Sequence, residues 1–266
     1  MKIEYYALSK KGRREKNEDA YIAEKIKDLY VFAVADGLGG HVGGEIASKI
    51  AIIELKEAIA RYGEKGFLKA FEKANDTIFF ENKRRKSNMA TTLVACIVKG
   101  EKCKIANIGD SRAYIFNNKI WKTKNHSFVQ QLIDKGIISE EESFDHPQKN
   151  IVTQVLGLKE KIKLDVYEKN IDSILLLCSD GLSDYVRDNE IEEIVKKYDP
   201  KTSCKKLYKK ALKRGSNDNI TIIMVKKMKD SYYKAKTGKY DALEVTEELK
   251  NIAIEMCGSI IEIIKN

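Results

Sequence analysis

Apolar positions along this chain change period several times, and each change marks an element. Short runs rich in β-branched and aromatic residues predict strands at Lys2–Leu8, Ala20–Ile26 and Leu29–Ala35. The period then lengthens. Val42, Ile46, Ile50 and Ile53 step by 4, 4 and 3 residues, and Phe67, Phe71, Ala74 and Ile78 by 4, 3 and 4, which predicts two helices. Gly63 and Gly66 separate them. Strands follow at Thr91–Lys99, Lys102–Ile108 and Ala113–Phe116, then a helix over Ser127–Lys135. A polar, irregular stretch, Ser139–Asn150, leads to Ile151–Leu156. A strand at Ile174–Cys178, helices near Ile191–Lys197 and Cys204–Arg214, and a last strand at Ile220–Lys226 complete the series.

Strands therefore come in groups with helix pairs between them, which is an α+β pattern and not a strict βαβ alternation. After Lys229 the character shifts. SYYKAKTGKYDA is polar, and then Leu249, Ile252, Met256, Ile260 and Ile263 step by 3, 4, 4 and 3. That spacing predicts one amphipathic helix, expected to pack on the domain.

Composition narrows the class. The chain has 266 residues, 43% of them hydrophobic, enough for the core of one large domain with an appendage. Net charge is +9. The lysines of one run, Lys205, Lys206, Lys209, Lys210 and Lys213, have no interleaved aromatic pattern, so the run reads as a solvated helix face and not as a nucleic-acid patch. A positive surface still favours anionic substrates such as phosphopeptides. The 5 cysteines are odd in number and lack C-x-x-C spacing, which points to reduced thiols in a cytoplasmic setting. The N-terminus shows no signal-peptide core, and no segment approaches the ~20 apolar residues of a membrane span.

Chemistry gathers where strands end. VFAVADGLGG delivers Asp36 at the end of an apolar run, next to Gly37. ILLLCSDGLSD does the same for Asp180, with Asp184 one helical turn later. KIANIGDSRAY places Asp110 after a third strand, SNDNITIIMV places Asp218 before the last one, and NEDAYIA sets Glu18 and Asp19 at a strand start. One such Asp is usually a turn residue or a helix cap. Several in one domain suggest a shared cleft, where carboxylates repel each other and lose hydration unless cations neutralise them. An all-oxygen set selects hard ions, Mg²⁺ or Mn²⁺. The 3 histidines do not join this cluster, which argues against zinc. Gly37 would let a metal approach the backbone, so that its carbonyl could serve as a ligand.

In order along residues 1–228 run GRREKNEDA (12–20), ADGLGG (35–40), TTLV (91–94), GDSRAY (109–114), NHSFVQQLIDKGIISEEE (125–142), HPQKNIVTQVLG (146–157), CSDGLSD (178–184) and NDNIT (217–221). Each is weak alone, but the ordered set is specific. It resembles the metal-dependent Ser/Thr protein phosphatases of type 2C, the PPM family, in their compact bacterial form. The resemblance implies a four-layer α-β-β-α sandwich of two antiparallel sheets flanked by helix pairs, with a flap subdomain within 134–156. It covers 1–228 and leaves 229–266 as a C-terminal extension. It assigns Asp36 as the carboxylate bridging two Mn²⁺ or Mg²⁺ ions, Gly37 as a carbonyl ligand, and Glu18 and Asp19 as direct or water-mediated ligands. Asp180 and Asp218 complete the second ion's shell, and Asp110 and Asp184 would hold a third, weaker ion. Arg14 matches the arginine that grips the substrate phosphate, where a guanidinium fork suits the dianion.

The implied reaction is hydrolysis of phosphoserine or phosphothreonine by a metal-bridging hydroxide, with Asp36 and Arg14 as the central catalytic groups. The expected partners are phosphorylated proteins, including a Ser/Thr kinase that the enzyme opposes. No nucleic acid is expected among them, and the chain is expected to act as a monomer. Departures from the family pattern are Leu38 where some members carry a proton-delivering His, Ala90 in place of Gly, and Asn125 in place of Asp. His41 is out of register for a proton role, and His126 and His146 read as structural. Three other readings compete: a dinucleotide site, a non-catalytic phosphoprotein-binding module, and a phosphatase dedicated to one regulatory protein. Gly37, Gly39 and Gly43 space as G-x-G-x-x-x-G, one residue too long for a dinucleotide site. A non-catalytic module would be expected to lose metal carboxylates that are present here.

Overall fold

The computed structural model describes residues 3–38, 43–171 and 174–228. The chain divides into two units, Met1–Glu4 with Lys227–Asn266, and Tyr5–Lys226, which holds the two sheets' cores. Strand β1 spans Ile3–Lys10, β2 Ala20–Ile26, β3 Leu29–Ala35 and the short β4 Gly37–Leu38. Helices α1 (Gly43–Tyr62) and α2 (Phe67–Arg85) follow, joined by a 3₁₀ turn at Gly63–Gly66. Then come β5 (Ala90–Thr91), β6 (Leu93–Lys99), β7 (Lys102–Ile108), β8 (Arg112–Phe116) and β9 (Ile120–Lys122), and helices α3 (Phe128–Asp134) and α4 (Glu140–Phe144). The chain continues through β10 (Asp165–Asn170), β11 (Ile174–Cys178), α5 (Asp180–Ser183), α6 (Asp188–Lys197), α7 (Pro200–Lys213) and β12 (Ile220–Lys227).

The strands build two five-stranded sheets, β1-β12-β11-β8-β9 and β10-β7-β6-β3-β2. Burial on both faces explains why their central strands read as continuous apolar runs. In β3, Val31, Ala33 and Ala35 join Leu55, Phe67 and Phe71 of the α1–α2 layer in one core. Phe32 and Val34, on the opposite face, are also fully buried. In the other sheet, Leu176, Cys178, Ile222 and Met224 pack on Ile191, Val195 and Leu207 of α6 and α7. The alternate residues Leu175, Leu177, Ile223 and Val225 are fully buried too. Tyr5 meets Phe32 edge to face at 5.3 Å, tying the sheets together at β1 and β3. The result is the expected sandwich of two antiparallel sheets between helical layers.

Helix α1 forms where the periodicity predicts a helix. Of the stepping residues, Ile46 and Ile50 pack half-buried at the edge of the core, and Val42 lies outside the described residues. The buried positions are Ala47, Ala51, Leu55, Ala58 and Ile59, while Ile53 is 54% exposed. Small alanines win that face because they let the helix lie close on the sheet. In α2 the stepping was the buried face, since Phe67, Phe71, Ala74 and Ile78 are all buried. The stretch Ser139–Asn150 is less irregular than its sequence suggests. Ser139 and Glu142 form a capping box that starts α4. Residues Ile151–Leu156 make only isolated bridges, Ser127 with Val152 and Thr91 with Leu156. The amphipathic segment after residue 229 lies outside the described residues.

Truncating Phe71 to Ala should destabilise the fold by about 3–5 kcal/mol. The same change at the exposed Phe80 should cost less than ~0.5 kcal/mol. Urea denaturation midpoints of the two variants test this difference, and equal shifts would refute the layer assignment.

Candidate active site

Antiparallel register is what gathers the acids. The β2–β3 hairpin pairs Ala20 with Ala35, so the preceding Asp19 and the following Asp36 leave its end side by side. Strand β11 pairs Cys178 with Arg112 of β8, and the same register carried onward sets Asp180 beside Asp110. Asp180 opens α5 and Asp184 closes it. Asp218 precedes β12. The strand-end pattern read from the sequence thus converges on one edge of the sandwich.

The backbone around Asp36 is clamped. Its N–H donates to Thr92 Oγ1 at 3.0 Å, and its carbonyl accepts from the Thr92 N–H at 2.9 Å and from Thr91 Oγ1 at 2.9 Å. Gly37 does not sit in a loose elbow, because it pairs with Thr91 in a short β-ladder. Its missing side chain serves close packing. A Cβ there would fall 2.6 Å from the Glu18 carbonyl oxygen and would overlap the Gly44 carbonyl, so the first turn of α1 presses directly on the strand end. Gly12 (φ +58°) plays a similar part. Its turn brings the Arg13–Arg14 loop against the Asp218 backbone.

Asp19 is held by residues that the strand-end reading passed over. Its Oδ2 accepts from Ser179 Oγ at 2.9 Å and Thr221 Oγ1 at 2.6 Å. Ser179 Oγ in turn accepts the Thr221 N–H, and Thr221 Oγ1 contacts Ser9 Oγ at 2.8 Å, which contacts the Asn17 amide. With Thr221 donating to the carboxylate, the chain of hydroxyls runs in one direction, from Asn17 through Ser9 and Thr221 to Asp19. Asn219 binds the N-terminal loop by donating to the Lys11 and Lys16 carbonyls and accepting the Glu18 N–H. Ser48 of α1 donates to the Glu18 carbonyl at 2.6 Å. The available signal was adjacency, since Ser179, Asn219 and Thr221 stand one to three residues from Asp180 and Asp218 inside the quoted motifs.

The electrostatics are those of crowded acids. Burial and the Asp19, Asp180, Asp110 and Asp218 charges hold Asp36 well above the usual carboxylate range. Asp180 is raised likewise, by burial and then by Asp110, Asp184 and Asp218. Burial pushes Asp19 up to about 7 against the pull of the Thr221 and Ser179 hydroxyls. Asp110 is also pushed up to about 7, by burial and Asp184, with Arg112 opposing. Asp184 is raised by burial, opposed by Arg112 and Lys149. Asp36 and Asp180 keep part of their surface open to the cleft, yet protein atoms crowd them on the other sides.

At the mouth, Arg14 donates from Nε (3.1 Å) and Nη2 (2.9 Å) to both oxygens of Asp218 and is 57% exposed. That pairing uses one edge of the guanidinium and leaves Nη1 for another acceptor.

Two carboxylate oxygens, Asp19 Oδ1 and Asp180 Oδ1, are buried without a hydrogen-bond partner. Among the described residues no three acidic, histidine or cysteine side chains converge on a single point. The acids stand instead near enough to disfavour one another's ionised forms. Orphaned anionic oxygens in an all-oxygen cleft fit hard divalent cations and no softer metal.

His126 and His146 are engaged elsewhere. His126 accepts the Gly109 N–H on Nδ1 at 3.2 Å and lies 3.3 Å from Asp165 through Nε2, so it braces the turn before Asp110. His146 accepts the Gln148 N–H in an exposed turn. His41 lies outside the described residues. Asn125 accepts from Arg112 Nε at 3.0 Å, which shows what the neutral residue does at that departure from the family pattern. Over the cleft's rim, Lys149 donates to the Asp184 carbonyl at 2.8 Å, and Arg187 pairs with Asp145. These contacts tie the α4 segment to α5 and α6.

Comparison with known proteins identifies similar chains. The family model described as "Protein phosphatase 2C" matches residues 9–221. A serine/threonine phosphatase stp of Listeria monocytogenes is 36% identical over 236 residues, covering 82% of this chain and 93% of its own. The crystal structure of serine/threonine phosphatase Stp1 from Staphylococcus aureus superposes with a TM-score of 0.80 at 34% identity, covering 86% of this chain and 96% of that one. The catalytic domain of the serine/threonine protein phosphatase PstP, solved in complex with 2 manganese ions, gives a TM-score of 0.74 at 30% identity over 84% of this chain and 97% of that one.

Two outcomes test the site's internal logic. Thr221→Val removes a donor to Asp19 and should weaken Mn²⁺ binding about 10- to 100-fold by calorimetry, while Thr221→Ser should retain it. Equal affinities in the two variants would remove Thr221 from the site.

The second outcome concerns pH. Asp19 and Asp110 lie near 7 in the folded chain and about 4 unfolded. The native state therefore holds more protons between those values, and stability falls as pH rises through that window. In chelator, Tm should be lower at pH 8 than at pH 5.5, and Mn²⁺ should erase the difference by lifting the pH 8 value. A metal-free Tm that rises with pH would contradict this.

Proposed function

The chain belongs to the protein phosphatase 2C family, as a metal-dependent Ser/Thr phosphatase of the bacterial type, and on that premise we propose which of its residues carry the reaction. Asp36, Glu18, Asp19, Asp180, Asp218 and the Gly37 carbonyl would hold two Mn²⁺ or Mg²⁺ ions, and Asp110 and Asp184 a third. The observation that carries this reading is the pair of orphaned, buried oxygens on Asp19 and Asp180 within a ring of mutually repelling acids. When bound, the divalent ions supply Lewis acidity toward phosphoryl oxygens and acidify water to near neutrality.

The chain's own groups do the rest. Arg14 presents the free edge of its guanidinium at the mouth, where a phosphate dianion accepts hydrogen bonds in a geometry that the fork matches. Asp218 fixes that guanidinium through the other edge, so its orientation is set before substrate arrives. Thr91 and Thr92 lock the Asp36 backbone, and the Ser9–Thr221 hydroxyl chain leaves Asp19 Oδ1 as the acceptor facing away from the protein's own donors. His126 is committed to Gly109 and Asp165, so we do not assign it to leaving-group protonation.

The substrates are phosphoproteins. We further assign to them a Ser/Thr kinase and its targets, and we place the flap within residues 134–156, supported by its ties to Asp184 and Arg187. Among the described residues, no helix is long and apolar enough to cross a membrane.

A panel of phosphoserine, phosphothreonine and phosphotyrosine peptides, assayed with Mn²⁺, Mg²⁺ and chelator, tests the reaction. Hydrolysis of the first two should require metal. Asp36→Asn should lower kcat by about 10³-fold or more, and Arg14→Ala should act mainly on KM for phosphopeptides. Full activity of Asp36→Asn would exclude its proposed role.

A further inference from the structure

Helix α7, Pro200–Lys213, carries six lysines and no acidic residue. Its buried positions, Pro200, Ser203, Cys204, Leu207 and Ala211, face the sheet. Lys210 on the flank pairs with Glu190. The remaining lysines point outward, and Lys201, Lys205, Lys209 and Lys213 recur every fourth residue as one exposed row, with Lys206 beside it.

Like charges at that spacing disfavour a helix, and none of these lysines has a carboxylate within ion-pairing distance among the described residues. Some exposed lysines elsewhere find partners, such as Lys49 with Glu45, Lys56 with Glu24, Lys73 with Glu54, Lys99 with Asp28, Lys124 with Asp134 and Lys196 with Glu192, and others, such as Lys65, Lys69 and Lys161, stand exposed and scattered. What distinguishes α7 is the alignment of four such lysines along one helix face.

The row also leads to the active site. Its C-terminal end meets the N-terminal loop where Arg13 Nη2 donates to the Leu212 carbonyl at 3.2 Å. The next residue of that loop is Arg14, which pairs with Asp218 at the mouth. Arg13, Arg14, Lys213, Lys209, Lys205 and Lys201 therefore form a basic track that begins at the proposed phosphate-binding arginine. From Lys213 to Lys201 the helix rises roughly 18 Å at 1.5 Å per residue. An extended peptide covers that length with about five or six residues.

We propose that this track docks an acidic segment of the phosphoprotein substrate, so that the enzyme selects phosphosites flanked on one side by several Asp or Glu residues. The proposal rests on the phosphatase reading above and gives it a substrate class. Charge complementarity fixes the occupant's sign. The connection to Arg14 favours a segment of the substrate itself over an unrelated anion.

The test compares three phosphothreonine peptides that differ only in a five-residue flank: acidic before the phosphosite, acidic after it, or neutral. They are assayed with Mn²⁺ on the wild-type chain and on the Lys201→Glu/Lys205→Glu/Lys209→Glu/Lys213→Glu variant. In the wild type, one acidic peptide should exceed the neutral one about 10-fold in kcat/KM, through KM, and should lose that advantage as salt rises. The variant should lose or reverse the preference while hydrolysing p-nitrophenyl phosphate and the neutral peptide at wild-type rates, which also shows that it folds.

Equal kcat/KM for the three peptides in the wild type would overturn the proposal. So would a variant that keeps the preference, or one that loses only binding to duplex DNA or to phosphatidylserine vesicles. Failure of the wild type to hydrolyse p-nitrophenyl phosphate at all would instead strike the phosphatase reading.

Discussion

The mutual repulsion of carboxylates at one edge of a β-sandwich is the constraint that shapes this molecule. Asp36 and Asp180 are each raised first by burial and then by the charges of their neighbours. A fold that spends a sheet edge on such an arrangement accepts a local instability, which divalent ions are suited to relieve. Much of the surrounding structure follows from keeping the acids in place while they repel. Antiparallel register brings Asp19 to Asp36 and Asp110 to Asp180. Threonine pairs, serine hydroxyls and the Asn219 amide then absorb the backbone donors and acceptors at the strand ends.

The two sheets contribute rigidity more than chemistry. Burial of both faces of β3, β6, β11 and β12 leaves their ends little freedom, so a carboxylate one residue beyond the ladder is placed by the core rather than by a loop. The helices matter at their tips. Gly44 lets the start of α1 lie against Gly37 and Glu18, and α5 carries Asp180 and Asp184 at its two ends. The segment around α4 closes one side of the cleft by ionic and cation–π contacts, Arg187 lying 4.2 Å over the Phe144 ring. Such surface contacts are individually weak, which suits a rim that must admit a protein substrate.

The parts of this design readable from residues alone were those written in period and in adjacency. Strands β2, β3, β7 and β11 were legible to the residue because apolar runs end sharply on Asp, Gly or charged residues. The acids at strand ends were legible because carboxylates flanked by Gly are costly unless they are used. Less legible were β9 and β10, short and half-exposed edge strands with charged residues and no clear alternation. The alanines of α1's buried face were not legible, because alanine carries little signal in a hydrophobic pattern. The hydroxyl chain through Ser9, Ser179 and Thr221 could not be read at all without topology, since 212 residues separate Ser9 from Thr221 in sequence. Gly37 was read as clearance for a metal, and its packing against α1 is a second reason for the same absence of a side chain.

Anomalous diffraction at the manganese edge, from crystals grown with Mn²⁺, tests the central claim most directly. The account predicts at least two anomalous peaks inside the ring of Asp36, Gly37, Glu18, Asp19, Asp180 and Asp218, with the buried oxygens of Asp19 and Asp180 turned toward them. A map with no peak in that cleft, its acids either paired with protein donors or splayed toward solvent, would contradict it.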